Sequence, residues 1–393
     1  MNQTPTSPKL VDSLIISIFL IALVAPLLIW ALEKDVFFSD TEKRKLQHFP
    51  EINVQQSITE FTHSFDSYFQ DHFGLREWLI SRYQHEASKR FGVSGVPNVI
   101  EGSEGWLFLS FGDTVKDLKG KLQFSKAETE SFWNLLIEKE DRLKDQGIAY
   151  IFLIAPNKQS IYPEYLPDFY QSPSKKASRL DQLLAVKPPH GGESLLDIRH
   201  RIIQKKSRTR LYDKSDTHWN IQGAYLAHIA LLGRVQELFP DVRLQNSIES
   251  PPLWKDAPGG DLAVMIGKED TIIEQKPVLN TTNFSAFYPP MSHAVTELLQ
   301  SPQLGILYSA KEKRPLNVLV LHDSFFEILK PTISESFGRV LYVTRYKNDA
   351  TMDFFDESKL QDLITLYKPD LIIEELVERN LTRFFQKNGH STE

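Results

Sequence analysis

Apolar positions fall into three regimes along the chain. From Leu14 to Leu32 they are continuous: LIISIFLIALVAPLLIWAL carries no charge, and only Ser17 and Pro26 depart from apolar or aromatic. A run of that length spans a hydrocarbon core as a helix, and Trp30 sits where an interfacial aromatic would lie; a cleaved signal peptide and a buried core helix are the alternatives. The second regime covers about residues 57–90, where Phe61, Phe65, Tyr68, Phe69, Leu75, Trp78 and Leu79 recur at helical spacing. Gly74 breaks this stretch into two helices, with one aromatic face packing on the main domain. His63, Asp71 and His72 fall here and read as satisfied polar residues at a helix edge.

The third regime begins near residue 95, where helical patterns alternate with short apolar runs. VIEGSEGWLFL predicts a hairpin turning at Gly102 and Gly105. Ser125 and Glu128 form a capping box that opens a helix, and Gly147 closes it. AYIFLIAP (149–156), NVLVLH (317–322), RVLYVTR (339–345) and DLIIEEL (370–376) read as strands buried on both faces. ESLLDI and TRLYD are short strand candidates around helical IRHRIIQKK; residues 221–239 form a helix closed by Pro240, and SFFEILKPTISESF continues NVLVLH as a helix. Residues 241–310 are irregular and read as an insertion or an active-site cover. Helix alternating with buried strand is the α/β signature. The organisation expected is an anchor over 1–35, a connector with amphipathic helices over 36–94, and an α/β domain over 95–393.

Composition narrows the options. The chain has 393 residues, 41% of them hydrophobic, enough for a sizeable core. A net charge of −6 without a basic stripe offers nothing to nucleic acid. There is no cysteine, which excludes disulfides, thiolate metal sites and a cysteine nucleophile. Around the apolar run, Lys9 precedes it while Lys34, Lys43, Arg44 and Lys45 follow, interleaved with Glu33, Asp35, Asp40 and Glu42. Charge alone therefore leaves its orientation undecided.

Two junctions carry the candidate chemistry. In LVLHDSFFEIL (319–329) an apolar strand runs into His322-Asp323-Ser324 and a helix begins at once. Ligands of open α/β sheets sit at such strand ends. Taken alone, Ser324 reads first as a helix N-cap and second as a nucleophile. A nucleophile needs a base and an orienting acid, and Asp216-Thr217-His218 supplies both just before another helix, with Asn220 as its N-cap. A metal reading gathers Asp216, His218, His322 and Asp323 instead. Arg379, past the last strand, either reaches the cleft or serves as an ion-pair partner of Glu378 or a helix cap; Gly260 and Asp261 form a cleft wall or a simple turn.

The sequence resembles the AlgX/AlgJ-like family of bacterial polysaccharide O-acetylation proteins. The matching stretches are D-T-H-W-N-x-x-G-A (216–224), H-D-S-F (322–325), G-W-L-F (105–108), P-N-K-x-x-I-Y-P-E-Y-L-P (156–167), Y-F-Q-D-H-F-G-L-R (68–76) and K-P-D-L-I-I-E-E-L-V-E-R (368–379). The resemblance implies an SGNH-hydrolase-like parallel sheet flanked by helices behind an N-terminal transmembrane helix. It implies Ser324 as nucleophile, His218 as general base and Asp216 as its orienter, with Arg379 and His322 as oxyanion or cleft candidates and no cofactor or metal. It further implies a single-pass inner-membrane protein with its catalytic domain in the periplasm, a polysaccharide acceptor such as alginate, and a membrane-bound O-acyltransferase that supplies acetyl groups. No carbohydrate-binding module is expected after the last strand. His322 departs from the usual glycine, and either narrows the acyl pocket or joins the site. An acetylesterase using the same triad, or a non-catalytic polysaccharide-binding assembly protein, are the alternatives.

Overall fold

A computed structural model of the chain describes residues 8–32, 38–39, 44–50, 57–76, 78–80, 82–83, 86, 98–110, 114–168, 170, 177–244, 252–299, 305–311, 314–345, 355 and 357–386. The chain divides into two compact units, residues 1–95 with 265–267, and 96–264 with 268–393.

In the first unit the apolar run forms helix α1 (Pro8–Leu32). Its Val11–Trp30 stretch has a mean hydropathy of 2.7 and is long enough to cross a membrane. Helix α2 (Ile58–His72) opens on a capping box between Ser57 and Glu60 and stops before Gly74. Its aromatic face is met by Trp30, edge-on to Phe69, and by Phe49 against Phe65 and Tyr68. Gly74 lies so close to the Pro26 carbonyl that a Cβ would overlap it. Asp71 accepts from the Gln47 N–H and His72 bonds to the Gln47 carbonyl, as expected for satisfied polar groups. His63 is exposed.

The second unit is built on six strands. Helix α3 (Lys126–Lys144) starts at the Ser125–Glu128 capping box, and Gly147, at φ +73°, closes it into β1 (Ala149–Ala155). β2 (Leu195–Asp197) and helix α4 (Ile221–Leu238) follow. Then come β3 (Gly305–Ser309), β4 (Asn317–His322), β5 (Arg339–Thr344), helix α5 (Leu360–Tyr367) and β6 (Leu371–Val377). The sheet order is β2-β1-β6-β4-β5-β3. All neighbours pair in parallel except β3, which runs antiparallel to β5 at the edge. The sheet is thus the expected parallel one flanked by helices, with a single antiparallel strand added at the β3 edge.

Period-two alternation splits the core across the sheet. Val318 and Val320 enter one apolar layer with Trp219, Phe325 and α4, while Leu319 and Leu321 enter the other with Phe132, Trp133 and α5. Both layers are fully buried, which is why the strands read as continuous apolar runs.

Three sequence expectations change. TRLYD is not a strand: Tyr212 makes only an isolated antiparallel bridge to Trp219. SFFEIL is a 3₁₀ helix (Ser324–Leu329) that passes into a short α-turn, Lys330–Ser334. The irregular region holds an antiparallel hairpin, Leu253–Pro258 with Ile273–Val278, and a helix, His293–Leu299.

Candidate active site

The carboxyl end of β4 leads into the serine turn. Asp323, not Ser324, caps the 3₁₀ helix: its Oδ1 accepts the Phe325 N–H at 2.8 Å and its Oδ2 accepts the Val377 N–H at 2.9 Å. One carboxylate thus ties the turn to the end of β6. Glu375 completes the tie by accepting the Asp323 N–H at 3.1 Å. Burial, then the neighbouring Asp323 charge, push the Glu375 carboxyl well above its usual range. With the capping role taken by Asp323, the Ser324 hydroxyl is free for other chemistry. The Ser324 N–H, first of the helix, has no acceptor among the described residues and is available to a ligand.

Ser324 Oγ lies 2.9 Å from His218 Nε2, and His218 Nδ1 lies 2.8 Å from Asp216 Oδ1. A carboxylate on the Nδ1 side fixes the proton there, so Nε2 presents its lone pair to the serine. Asp216 also accepts the His218 backbone N–H at 2.9 Å, so the two-residue spacing closes on itself. Burial pushes the His218 imidazolium down, but the Asp216 bond and the charges of Asp261 and Asp216 outweigh it, leaving the pKa above the ordinary histidine value. Burial likewise works against the Asp216 carboxylate, yet its bonds from His218 hold it well below the usual range. About a quarter of each side chain is exposed (27% and 25%), so the pair is open to an incoming group.

Trp219, next in the motif, ties the halves together. Its Nε1–H donates to the Phe325 carbonyl at 2.9 Å, and its ring meets Phe325 edge-on. Asn220 caps α4 through Gln222 and Gly223. On the far side, the Gly259-Gly260-Asp261 turn wraps the acid. Asp261 donates its N–H to Asp216 Oδ2 at 3.2 Å, and its own Oδ1 accepts the Thr217 N–H at 2.7 Å. A Cβ on Gly260 would overlap the Asp216 carboxylate, so only glycine allows this approach. Glu274, from the inserted hairpin, accepts the Lys214 N–H at 2.9 Å and binds both the N–H and hydroxyl of Ser215. Asp261 and Glu274 are supports that the sequence did not single out for this role. The short G-G-D stretch was the sole local signal for the first, and Glu274 had none.

Arg379 does not pair with Glu378, whose carboxylate instead faces Arg199, Ser160 and the Asn157 N–H. The Arg379 guanidinium lies over the Phe325 ring at 5.3 Å, and its Nη1 donates to Asn157 Oδ1 at 3.4 Å. Phe325 also packs against the His218 ring, at 4.8 Å. His322 is not brought to the serine hydroxyl. It is fully buried against Phe326 and Tyr342, donates Nδ1–H to the Asp323 carbonyl at 2.6 Å, and is pushed by burial, then by Lys330, down to about 3. The four-residue metal set does not converge, since Asp323 is spent as a cap. Among the described residues, the ligand-type groups that do meet are Asp216, His218 and Asp261. Asp216 there already accepts three N–H bonds, so this cluster is a hydrogen-bonded acid–imidazole arrangement with few lone pairs left for an ion.

Comparison with known proteins adds a family. Residues 99–299 match the family profile described as SGNH hydrolase-like domain, acetyltransferase AlgX. The matched stretch includes Asp216 and His218 and ends before Ser324, so the serine's place rests on geometry. The chain is similar to the probable alginate O-acetylase AlgJ of Pseudomonas aeruginosa, 24% identical over 197 residues, covering 48% of this chain and 46% of that protein. It is similar to the protein of the same name from Pseudomonas syringae, 23% identical over 168 residues, covering 43% and 41%. The chain thus spans less than half the length of the curated relatives it matches. Among solved structures, Bacillus cereus PatB1 aligns at a TM-score of 0.49 and 14% identity, over 72% of this chain and 96% of that one. The O-acetyltransferase domain of Pseudomonas putida AlgJ aligns at 0.44 and 18%, over 72% and 92%.

Proposed function

The chain belongs to the SGNH hydrolase-like acetyltransferase family of AlgX, and from that premise we propose that it moves acetyl groups onto hydroxyls of an exported, alginate-like polysaccharide through an acetyl-serine intermediate. The observation that carries this reading is the unbroken line Ser324 Oγ–His218 Nε2, His218 Nδ1–Asp216 Oδ1, at 2.9 and 2.8 Å. Its geometry is that of a nucleophile, a base and an orienting acid.

In the first half-reaction His218 Nε2 takes the Ser324 proton as Oγ attacks the carbonyl carbon of an acetyl donor. Asp216 stabilises the imidazolium that forms. Negative charge gathers on the carbonyl oxygen, for which the free Ser324 N–H is the donor at hand. The imidazolium then returns its proton to the departing oxygen, leaving acetyl on Ser324. In the second half a sugar hydroxyl gives its proton to His218 and attacks that acetyl carbon. Collapse frees Ser324, which regains the proton, and the sugar leaves as its O-acetyl ester. Water entering in place of sugar gives acetate by the same steps.

In this reading α1 anchors the chain in the inner membrane, residues 36–94 connect it, and the α/β domain works in the periplasm. Acetyl groups reach it from a membrane-bound O-acyltransferase. The test uses the full chain in detergent with an acetyl ester donor and a panel of polyuronate and neutral oligosaccharides. Mass spectrometry counts acetyl groups on sugar and free acetate together. Acetylated sugar from the parent and none from Ser324→Ala is the expected result. Serine-dependent acetate on every acceptor would make the protein an esterase.

A further inference from the structure

Two motifs, G-W-L-F at 105–108 and P-N-K at 156–158, take no part in the acyl-transfer steps above. The structure brings them to one place, beneath the loop that carries Asp216 and His218. Lys158 starts a one-turn helix just past the end of β1 and is 2% exposed. Its Nζ donates to the carbonyls of Asp213 and Lys214 at 3.0 Å each and of Asp216 at 2.6 Å. An ammonium group has three N–H donors and no lone pair, so its capacity is used in full. The Trp106 and Phe108 rings lie 5.5 and 5.3 Å from Nζ and close the cage with their π faces. Leu107, between them, donates its N–H to the Lys214 carbonyl at 2.8 Å.

The loop needs such a partner. Residues 213–216 belong to no strand or helix: the Lys214 carbonyl shares the Leu107 N–H and the Asp213 carbonyl meets the Asp216 N–H only at 3.5 Å, so the loop's inward carbonyls, that of Asp216 above all, lean on Lys158. The charged groups facing the ammonium are Asp216, Asp261, Glu274 and Asp213, all on the loop or on segments packed against it. A neutral amine keeps two N–H donors and gains a lone pair, which would face a carbonyl oxygen.

We propose that Lys158 is the positioning residue of the site. While its nitrogen holds three protons it pins three loop carbonyls and sets the Asp216–His218 arm against Ser324; loss of one proton releases the arm. The inference rests on the triad reading of the reaction. Burial pushes Lys158 down to about 8, against the pull of those four carboxylates, so release falls in the mildly alkaline range. The sign for the whole fold is opposite. A lysine whose folded pKa lies below its unfolded value makes the native state bind fewer protons, so stability rises with pH between the two values. Activity is therefore lost while the contribution of Lys158 to stability improves.

The test uses the full chain in detergent, with acetyl-ester turnover and labelling of Ser324 by an aryl sulfonyl fluoride followed from neutral to alkaline pH, beside the melting temperature. The parent should lose both rates with a midpoint near 8 and no fall in melting temperature. Lys158→Arg, which stays charged, should lack that alkaline limb. Lys158→Met should fold, label about a hundredfold more slowly and show no limb, as for a misplaced catalytic group. Lys158→Met that keeps the limb with a near-parental rate overturns the proposal, as does a parental limb that tracks melting. If neither variant folds, amide exchange of residues 213–218 in the parent decides. Protection lost there at alkaline pH, while β1 and β6 stay protected, supports the pin, and unchanged protection overturns it. A wrong triad shows separately, as turnover that survives in Ser324→Ala.

Discussion

Ser324 stands at the end of a strand with neighbours on both sides, whereas Asp216 and His218 ride on a loop that no sheet holds. The serine turn inherits its place from β4 and β6: Asp323 binds the Val377 N–H, and Glu375 binds the Asp323 N–H. Its supports are part of the sheet, so they cannot move without disturbing the fold. The acid–histidine arm is placed by the adjacent Trp219 and by side chains and turns drawn from distant segments, namely Gly260, Asp261, Glu274 and Lys158. A site half set by sheet backbone is rigid but tied to stability. A half set by side chains can be altered alone, and that is where pH and single substitutions should act on rate without unfolding the protein.

The largest expected effect removes the nucleophile both halves serve. Ser324→Ala should lower acetyl-ester turnover by on the order of 10⁴-fold or more, with the melting curve unchanged, because a triad acts as a unit. The next largest effect falls within the loop half. Gly260→Ala pushes a methyl group into the Asp216 carboxylate and should cost about a hundredfold in kcat, with urea unfolding close to parental. Parental kcat in that variant would show that the loop half tolerates displacement.

Acid pH acts on the same arm. His218 must be neutral to accept the serine proton, and its folded pKa is raised. Turnover should therefore fall about tenfold per pH unit below a midpoint above the ordinary imidazole value. The stability sign is the reverse: protonated His218 in its acid pocket favours the fold, and this contribution fades as pH rises through the folded value. An acid limb centred below the usual histidine range would break the assignment.

The serine half should answer differently. Asp323→Ala removes a helix cap and leaves the Val377 N–H buried without a partner, so it should cost about 2 kcal/mol of unfolding free energy in a urea titration. Loss of rate there with no loss of stability would erase the contrast between the halves. At the small end, Glu130→Gln breaks an exposed pair with Lys126 (3.6 Å apart) and should stay within about 0.5 kcal/mol of the parent.

Legibility in the sequence follows the same division. Strands β1, β4, β5 and β6 were readable because burial on both faces leaves unbroken apolar runs. The helix start after D-T-H-W and the strand end before D-S-F were readable from the pattern. What escaped was long-range or depended on geometry that periodicity does not encode. SFFEIL has the same apolar spacing in a 3₁₀ as in an α-helix, and only the structure shows Asp323 taking the cap that Ser324 was expected to fill. TRLYD looks β-like, but its chain is held by side chains: the Tyr212 hydroxyl donates to the Pro156 carbonyl at 2.6 Å, and Lys158 binds the carbonyls that follow. Asp261 meets Asp216 across 45 residues of sequence, through an insertion with little periodic pattern. His322 looked like a site residue by adjacency alone, yet alternation along β4 turns it into the core.

The most direct measurement mixes the full-length protein with an acetyl ester, quenches it in acid within the first turnover, and maps acetyl groups on peptides by mass spectrometry. Acetyl is expected on Ser324 alone, discharged on adding a sugar acceptor and absent in His218→Ala. Transfer to sugar that proceeds with Ser324 unmodified at every time point would contradict it.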